Sequence, residues 1–217
     1  MSKYKIVVFD VDGTLLDTRE GVVASVQYTI QKYNLKRLTE EELETFIGPP
    51  IQNSFKKFYK LKQEEIQQLA STFREHYKAE DLLKARPYKG IYEMMDILRR
   101  KNIKIAVATY KRQDYAIKIL EHFGFNKYSN ILYGSDIEGK LTKKDIIQKC
   151  MDDFKVTDYS RAVMVGDSDN DAIGAYSLGM DFIGVTYGFG FKTKVSVDKF
   201  ANIGTACSPM EIIKFLE

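Results

Sequence analysis

Four short runs, rich in β-branched residues, are apolar almost throughout instead of alternating with polar positions. They are IVVF at residues 6–9, IKIAVA at 103–108, AVMV at 162–165 and FIGV at 182–185. Runs of this kind suit strands buried on both faces, as in a parallel sheet. NILY at 130–133 is a weaker run of the same sort. Helical periodicity fills the intervals at 91–100, 114–123, 144–154 and 172–178, with Gly179 placed to end the last. Strands alternating with helices predict an α/β fold built on a Rossmann-like parallel sheet.

Residues 17–84 break that rhythm. They hold no convincing strand, and helical patterns run over 20–33, 40–46, 51–59 and 63–78. Thr39 followed by Glu42 makes a capping box for the second helix, and Pro49-Pro50 separates it from the third. An all-helical domain of residues 17–84 is therefore expected as an insert in an α/β core of residues 1–16 and 85–217. The Arg-Pro-Tyr-Lys-Gly stretch at 86–90 reads as the return loop.

Composition narrows the function classes. The chain has 217 residues, enough for one large domain or a domain and a half, and 44% are hydrophobic. Thirty-three basic residues face 30 acidic ones with no run of five like charges, which argues against a nucleic-acid polymer as partner. Cys150 and Cys207 form no CxxC motif, so neither a disulfide framework nor a zinc site is expected. The apolar run before Asp10 is too short for a signal peptide, and no run approaches a membrane span. A cytoplasmic protein, monomeric or homodimeric, is expected.

The chemistry gathers at the strand ends. Ligands of open α/β sheets bind outside the carboxyl ends of the strands. The first run ends in Asp10, with Asp12 two residues on and Gly13 free to bend the chain. A hairpin is the alternative for Asp-Gly between apolar runs, but the flanks do not alternate. The 162–165 run leads into Gly166-Asp-Ser-Asp-Asn-Asp171, which puts Asp171 one helical turn beyond Asp167. Asp169 between them suits a first helical turn. Neither cluster is an EF-hand, because the sixth and twelfth positions are Leu15 and Gly21 in one and Ala172 and Leu178 in the other. Carboxylates converging on one rim need a cation, and oxygen ligands select a hard one such as Mg²⁺, which commonly shares its sphere with a phosphate. Thr109 at the second strand end could donate to that phosphate. Lys143 or Lys144, both opening a helix, could neutralise it.

The order of these motifs resembles the haloacid dehalogenase superfamily of phosphohydrolases. Asp10-Val-Asp-Gly-Thr14, Ala108-Thr109, Lys143 and Gly166-Asp-Ser-Asp-Asn-Asp171 stand in the family's order over nearly the whole chain. The insert resembles the family's small helical cap. Phe46-Ile-Gly-Pro-Pro50 and Arg86-Pro-Tyr-Lys-Gly90 are similar to the phosphoglycolate phosphatase and 5′-nucleotidase-like branch. Tyr110 departs from the serine often found there and is expected to alter leaving-group contacts.

The resemblance implies an Mg²⁺-dependent phosphomonoester hydrolase acting on a small phosphorylated metabolite, with phosphoglycolate and nucleoside 5′-monophosphates the leading substrates. Asp10 would attack phosphorus and Asp12 would act as acid and then base. Asp10, the main-chain carbonyl of Asp12, Asp167 and Asp171 would hold or support the metal. Thr109 and Lys143 would hold the phosphoryl oxygens, with backbone donors near Gly13 and Thr14. The cap would supply Gly48, Pro49, Asn53 and Arg74 to the substrate. A sugar-phosphate mutase of the same fold is the alternative enzyme. A phospho-acceptor signalling domain is the non-enzymatic alternative, and Asp12 and the insert argue against it.

Overall fold

The computed structural model describes residues 3–216. The chain opens with β1 (Ile6–Phe9), whose four residues are all buried. The tight turn that follows leads to β2 (Leu16–Asp17). The insert comes next, as α1 (Arg19–Lys32), α2 (Glu40–Glu44), α3 (Ile51–Phe58) and α4 (Gln63–His76). Thr39 and Glu42 form the expected capping box at α2, and Asn34 ends α1 with a φ of 50°. The fourth helix stops two residues early, because the chain widens into a π-helical turn at Tyr77–Asp81. β3 (Arg86–Pro87) then pairs antiparallel with β2. This two-residue ribbon, which the sequence did not announce, ties the two crossings into the insert side by side.

The remaining elements are α5 (Ile91–Arg100), β4 (Lys104–Arg112), α6 (Gln113–His122), β5 (Leu132–Ser135), α7 (Lys143–Asp153), β6 (Ala162–Gly166), α8 (Asp169–Tyr176), β7 (Asp181–Val185), α9 (Lys194–Val197) and β8 (Gly204–Ala206). Six strands make one sheet in the order β5-β4-β1-β6-β7-β8, every pair parallel. β1 lies at the middle and is covered on both faces, as its all-apolar text requires. Each of its Val and Ile side chains contributes about 1.5–3 kcal/mol by burial, which fixes where Asp10 leaves the sheet.

Two strands differ from expectation. β8 is a sixth strand of only three residues, too short to show periodicity. β4 runs past residue 108 to Arg112, with an irregular register between Ala108 and Arg112. Gly134 of β5 permits this, since a Cβ there would sit 2.4 Å from the Lys111 carbonyl oxygen. The extension carries Tyr110, Lys111 and Arg112 beyond the sheet rim. The larger apolar core runs continuously from Phe9 and Val165 in the sheet into Val26, Phe55 and Leu69 of the insert. Among the described residues, no helix is long and apolar enough to cross a membrane.

Candidate active site

Three neighbouring strand ends deliver the site. Asp10 follows β1, Thr109 lies on β4, and Asp167 follows β6. Lys143 is the first residue of α7, where Thr142 caps the helix by a capping box with Asp145. Lys143 turns inward and is buried, while Lys144 is exposed. Gly174 of α8 makes room for the Lys143 stem, because a Cβ there would lie 2.9 Å from Lys143 Cγ.

Lys143 is the hub. Its Nζ is 2.8 Å from Asp10 Oδ1 and 2.7 Å from Asp171 Oδ1, and it donates to the Ala108 carbonyl at 2.9 Å. Asp171 is held from its other side, since Oδ2 accepts from the Ser168 amide and hydroxyl. This is the capping box of α8, so one carboxylate closes a helix and faces the lysine. Gly166 permits the fold-back, as a Cβ there would fall 2.3 Å from the Asp171 carboxylate.

Asp167 is oriented by a loop that sequence reasoning passed over. Its Oδ2 accepts from the amides of Phe189 and Gly190 at 2.7 and 3.0 Å. Cβ atoms at Gly13 or Gly188 would overlap the same oxygen, at 2.1 and 2.4 Å. The signal available was the Gly-Phe-Gly run at 188–190, two residues after an apolar strand.

Asp12 faces away from Lys143. Its Oδ1 accepts from Thr18 Oγ1 at 2.7 Å and pairs with Lys111 Nζ at 3.1 Å. Lys111 also donates to the Tyr77 hydroxyl of the insert at 2.9 Å. Lys111, Thr18 and Tyr77 were not among the expected site residues. Lys111 was concealed because the strand pattern at 103–108 gave no sign that β4 continues. Each of Asp10, Asp12 and Asp167 thus has one oxygen anchored and the other without a hydrogen-bond partner among the described residues.

Some expected residues take other parts. The amides of Gly13 and Thr14 are committed to the turn, donating to Leu16 and Val11 carbonyls, and so are not phosphate donors here. The Thr14 hydroxyl is buried and has no hydrogen-bond partner. Thr109 Oγ1 accepts from the Lys111 amide at 3.2 Å, which leaves its own O–H to donate. Tyr110 turns its hydroxyl to the Lys143 amide at 3.0 Å. Gly48, Pro49 and Arg74 line a cavity that opens on Asp12 and Lys111. Asn53 is exposed and does not line it; its neighbour Gln52 on α3 does.

Electrostatics single out the carboxylates. Burial raises Asp10 to about 6; Lys143 pulls it back down, while Asp171 and Asp12 push it up. Burial raises Asp167 to about 8, reinforced by Asp171 and Asp10. Burial alone would lower Lys143, but Asp10 and Asp171 more than offset it and hold its ammonium above the usual range. The carboxylate oxygens of Asp10, Asp167 and Asp171 lie within 4.8 Å of one another. Three buried carboxylates against one lysine leave excess negative charge, and an all-oxygen donor set fits a hard cation.

The family model for haloacid dehalogenase-like hydrolases matches residues 7–185. The chain belongs to that family. It is 32% identical over 188 residues to a 5′-nucleotidase of Pseudomonas aeruginosa, covering 87% of this chain and 85% of that one. It is 32% identical over 195 residues to a phosphoglycolate phosphatase of Agrobacterium fabrum, covering 85% and 81%. A crystal structure described as a predicted phosphatase from Clostridium acetobutylicum superposes with a TM-score of 0.87 at 32% identity, covering 97% of this chain and 99% of that one. This member of the haloacid dehalogenase-like hydrolases is accordingly an enzyme, a phosphatase.

Proposed function

We propose that the protein is an Mg²⁺-dependent phosphomonoester hydrolase that works through an aspartyl-phosphate on Asp10. The observation that carries this reading is the pair Asp10 and Asp12, set two residues apart and turned to different lysines. Lys143 holds Asp10 Oδ1, which leaves Oδ2 to attack phosphorus. As that bond forms, the bond from phosphorus to the leaving oxygen breaks. Thr18 and Lys111 hold Asp12 Oδ1, which leaves Oδ2 to give the leaving oxygen its proton. Asp12 then takes a proton from water as the water attacks phosphorus, and phosphate leaves with Asp10 restored. Thr109 and Lys143 neutralise the phosphoryl oxygens. Mg²⁺ held by Asp10, Asp167 and the Asp12 main-chain carbonyl would supply positive charge for the phosphoryl group. Asp171 acts on Lys143.

The substrate is a small phosphorylated metabolite met in the cytoplasm. The names of the relatives make phosphoglycolate and nucleoside 5′-monophosphates the first two to try. The test is release of phosphate from an aryl phosphate and a metabolite panel, with and without Mg²⁺. Turnover that survives complete chelation would overturn the metal requirement. Turnover by Asp10→Asn at the wild-type rate would overturn the nucleophile.

A further inference from the structure

The cavity over Asp12 is bounded by two arginines from different parts of the chain. Arg74 comes from α4 of the insert, and Arg112 ends β4 of the sheet. Arg74 is half-buried, and among the described residues its guanidinium has no carboxylate or hydrogen-bond partner. Arg112 is fixed: Asp114 takes its Nε and Nη2 at 2.6 and 2.7 Å, and the Tyr115 ring lies 4.0 Å from its guanidinium carbon. The Tyr115 side chain supports it as well. Burial lowers the Arg74 pKa and the neighbouring Arg112 lowers it further. A half-buried guanidinium facing a like charge costs free energy unless an anion joins it.

The other charged side chains at the cavity have partners of their own. Asp12 is paired with Lys111. Asp136 spends Oδ1 on the amides of Lys140 and Leu141. Among the described residues, Arg74 is the cation at this cavity that has no carboxylate partner. The cavity holds about 100 Å³. A single water needs about 10–15 Å³ on such a measure, so a leaving group of a few heavy atoms fits.

Building on the hydrolase reading above, we propose that Arg74 and Arg112 form a receptor for a second anionic group, so that the preferred substrates are short phosphomonoesters or phosphoanhydrides whose leaving group is itself charged. A carboxylate or a phosphate would meet the planar donors of both guanidinium groups.

Binding tests this without turnover. Titration calorimetry in Mg²⁺ buffer compares 3-phosphonopropionate with propylphosphonate, which lacks the carboxylate. The wild type is expected to bind the first at least about tenfold tighter, a difference of about 1.4 kcal/mol. Arg74→Gln and, separately, Arg112→Gln are expected to collapse that ratio toward one, with Arg74→Lys recovering part of it. Equal affinities in the wild type, or an unchanged ratio in both glutamine variants, overturn the receptor. Hydrolysis then separates the sources: phosphoglycolate and pyrophosphate are each compared with ethyl phosphate by kcat/KM. Preference for the first assigns a carboxylate, preference for the second a phosphate, and preference for neither overturns the proposal. Arg74-dependent binding with no hydrolysis of any compound would keep the receptor and overturn the hydrolase reading.

Discussion

Lys111 places its ammonium 3.1 Å from Asp12 Oδ1 on a side chain only 5% exposed, and the same nitrogen donates to Tyr77 of the helical insert at 2.9 Å. Asp12 and Asp10 are two residues apart in the chain, yet each is served by its own buried lysine. Lys143 comes to Asp10 from the start of a helix, and Lys111 comes to Asp12 from an over-long strand. Because Tyr77 shares Lys111, the contact also joins the insert to Asp12. Insert and core meet at the Lys111 ammonium, which holds the Asp12 oxygen opposite the one left free.

Breaking the buried Lys111–Asp12 pair from one side should be costly. Lys111→Met leaves Asp12 with Thr18 alone, and loss of one partner of a buried ion pair costs about 3–5 kcal/mol. Adding Asp12→Asn should recover most of that loss, because no buried charge is then unmatched. Urea denaturation of the two single variants and the double gives the coupling. Additive losses would mean that the pair is not the source of the effect.

Asp10→Asn should lose about a thousandfold or more in turnover while keeping the fold. Lys143 retains Asp171 at 2.7 Å, so its charge is not orphaned. Removing one of the crowded carboxylates should leave the melting temperature in metal-free buffer no lower than that of the wild type. Asp12→Asn should slow alkyl phosphates by about 10²–10⁴ and aryl phosphates less, since good leaving groups need less protonation. Equal slowing of both classes would remove the acid role from Asp12.

The parallel sheet and the helical insert were legible because burial on both faces and helical periodicity leave strong patterns. The positions of Asp10, Lys143 and Asp167 were legible because each sits where a strand ends or a helix begins, whereas Thr109, expected at a strand end, lies within β4. Arg112 and Lys111 were not, because β4 overruns its apolar text through an irregular register that only the approach of Gly134 permits. Asn53 was misjudged by one residue, since a helix turns about 100° per residue and brings Gln52 to the cavity instead. The amides of Gly13 and Thr14 were misjudged because sequence does not show which carbonyl a turn will satisfy first.

The two cysteines should report the integrity of the sheet. Cys150 lies on α7 against β4, fully buried, with Sγ 3.3 Å from the Val107 carbonyl, and burial pushes its thiol up to about 12. Cys207 is exposed. At pH 8 the native protein should therefore yield one thiol quickly to an aromatic disulfide reagent and the second only after denaturation. Two fast thiols would show that α7, which carries Lys143, opens readily from the sheet.

The loop behind Asp167 should control metal binding. Gly188 has no left-handed φ, so its role is space alone: a Cβ would lie 2.2 Å from the Gly13 carbonyl oxygen and 2.4 Å from Asp167 Oδ2. Gly188→Ala must push back both the turn after β1 and the carboxylate, at an overpacking cost of about 1–3 kcal/mol. In the wild type, Mg²⁺ at a hundred times its dissociation constant should stabilise the fold by about 2.7 kcal/mol and raise the melting temperature accordingly. Asp167→Asn should abolish most of that rise by removing a ligand. Gly188→Ala should do the same with every carboxylate still present, because Asp167 can no longer be held by the Phe189 and Gly190 amides while facing Asp10. A full Mg²⁺ shift in Gly188→Ala would separate the loop from the metal site and leave Asp167 held by other means.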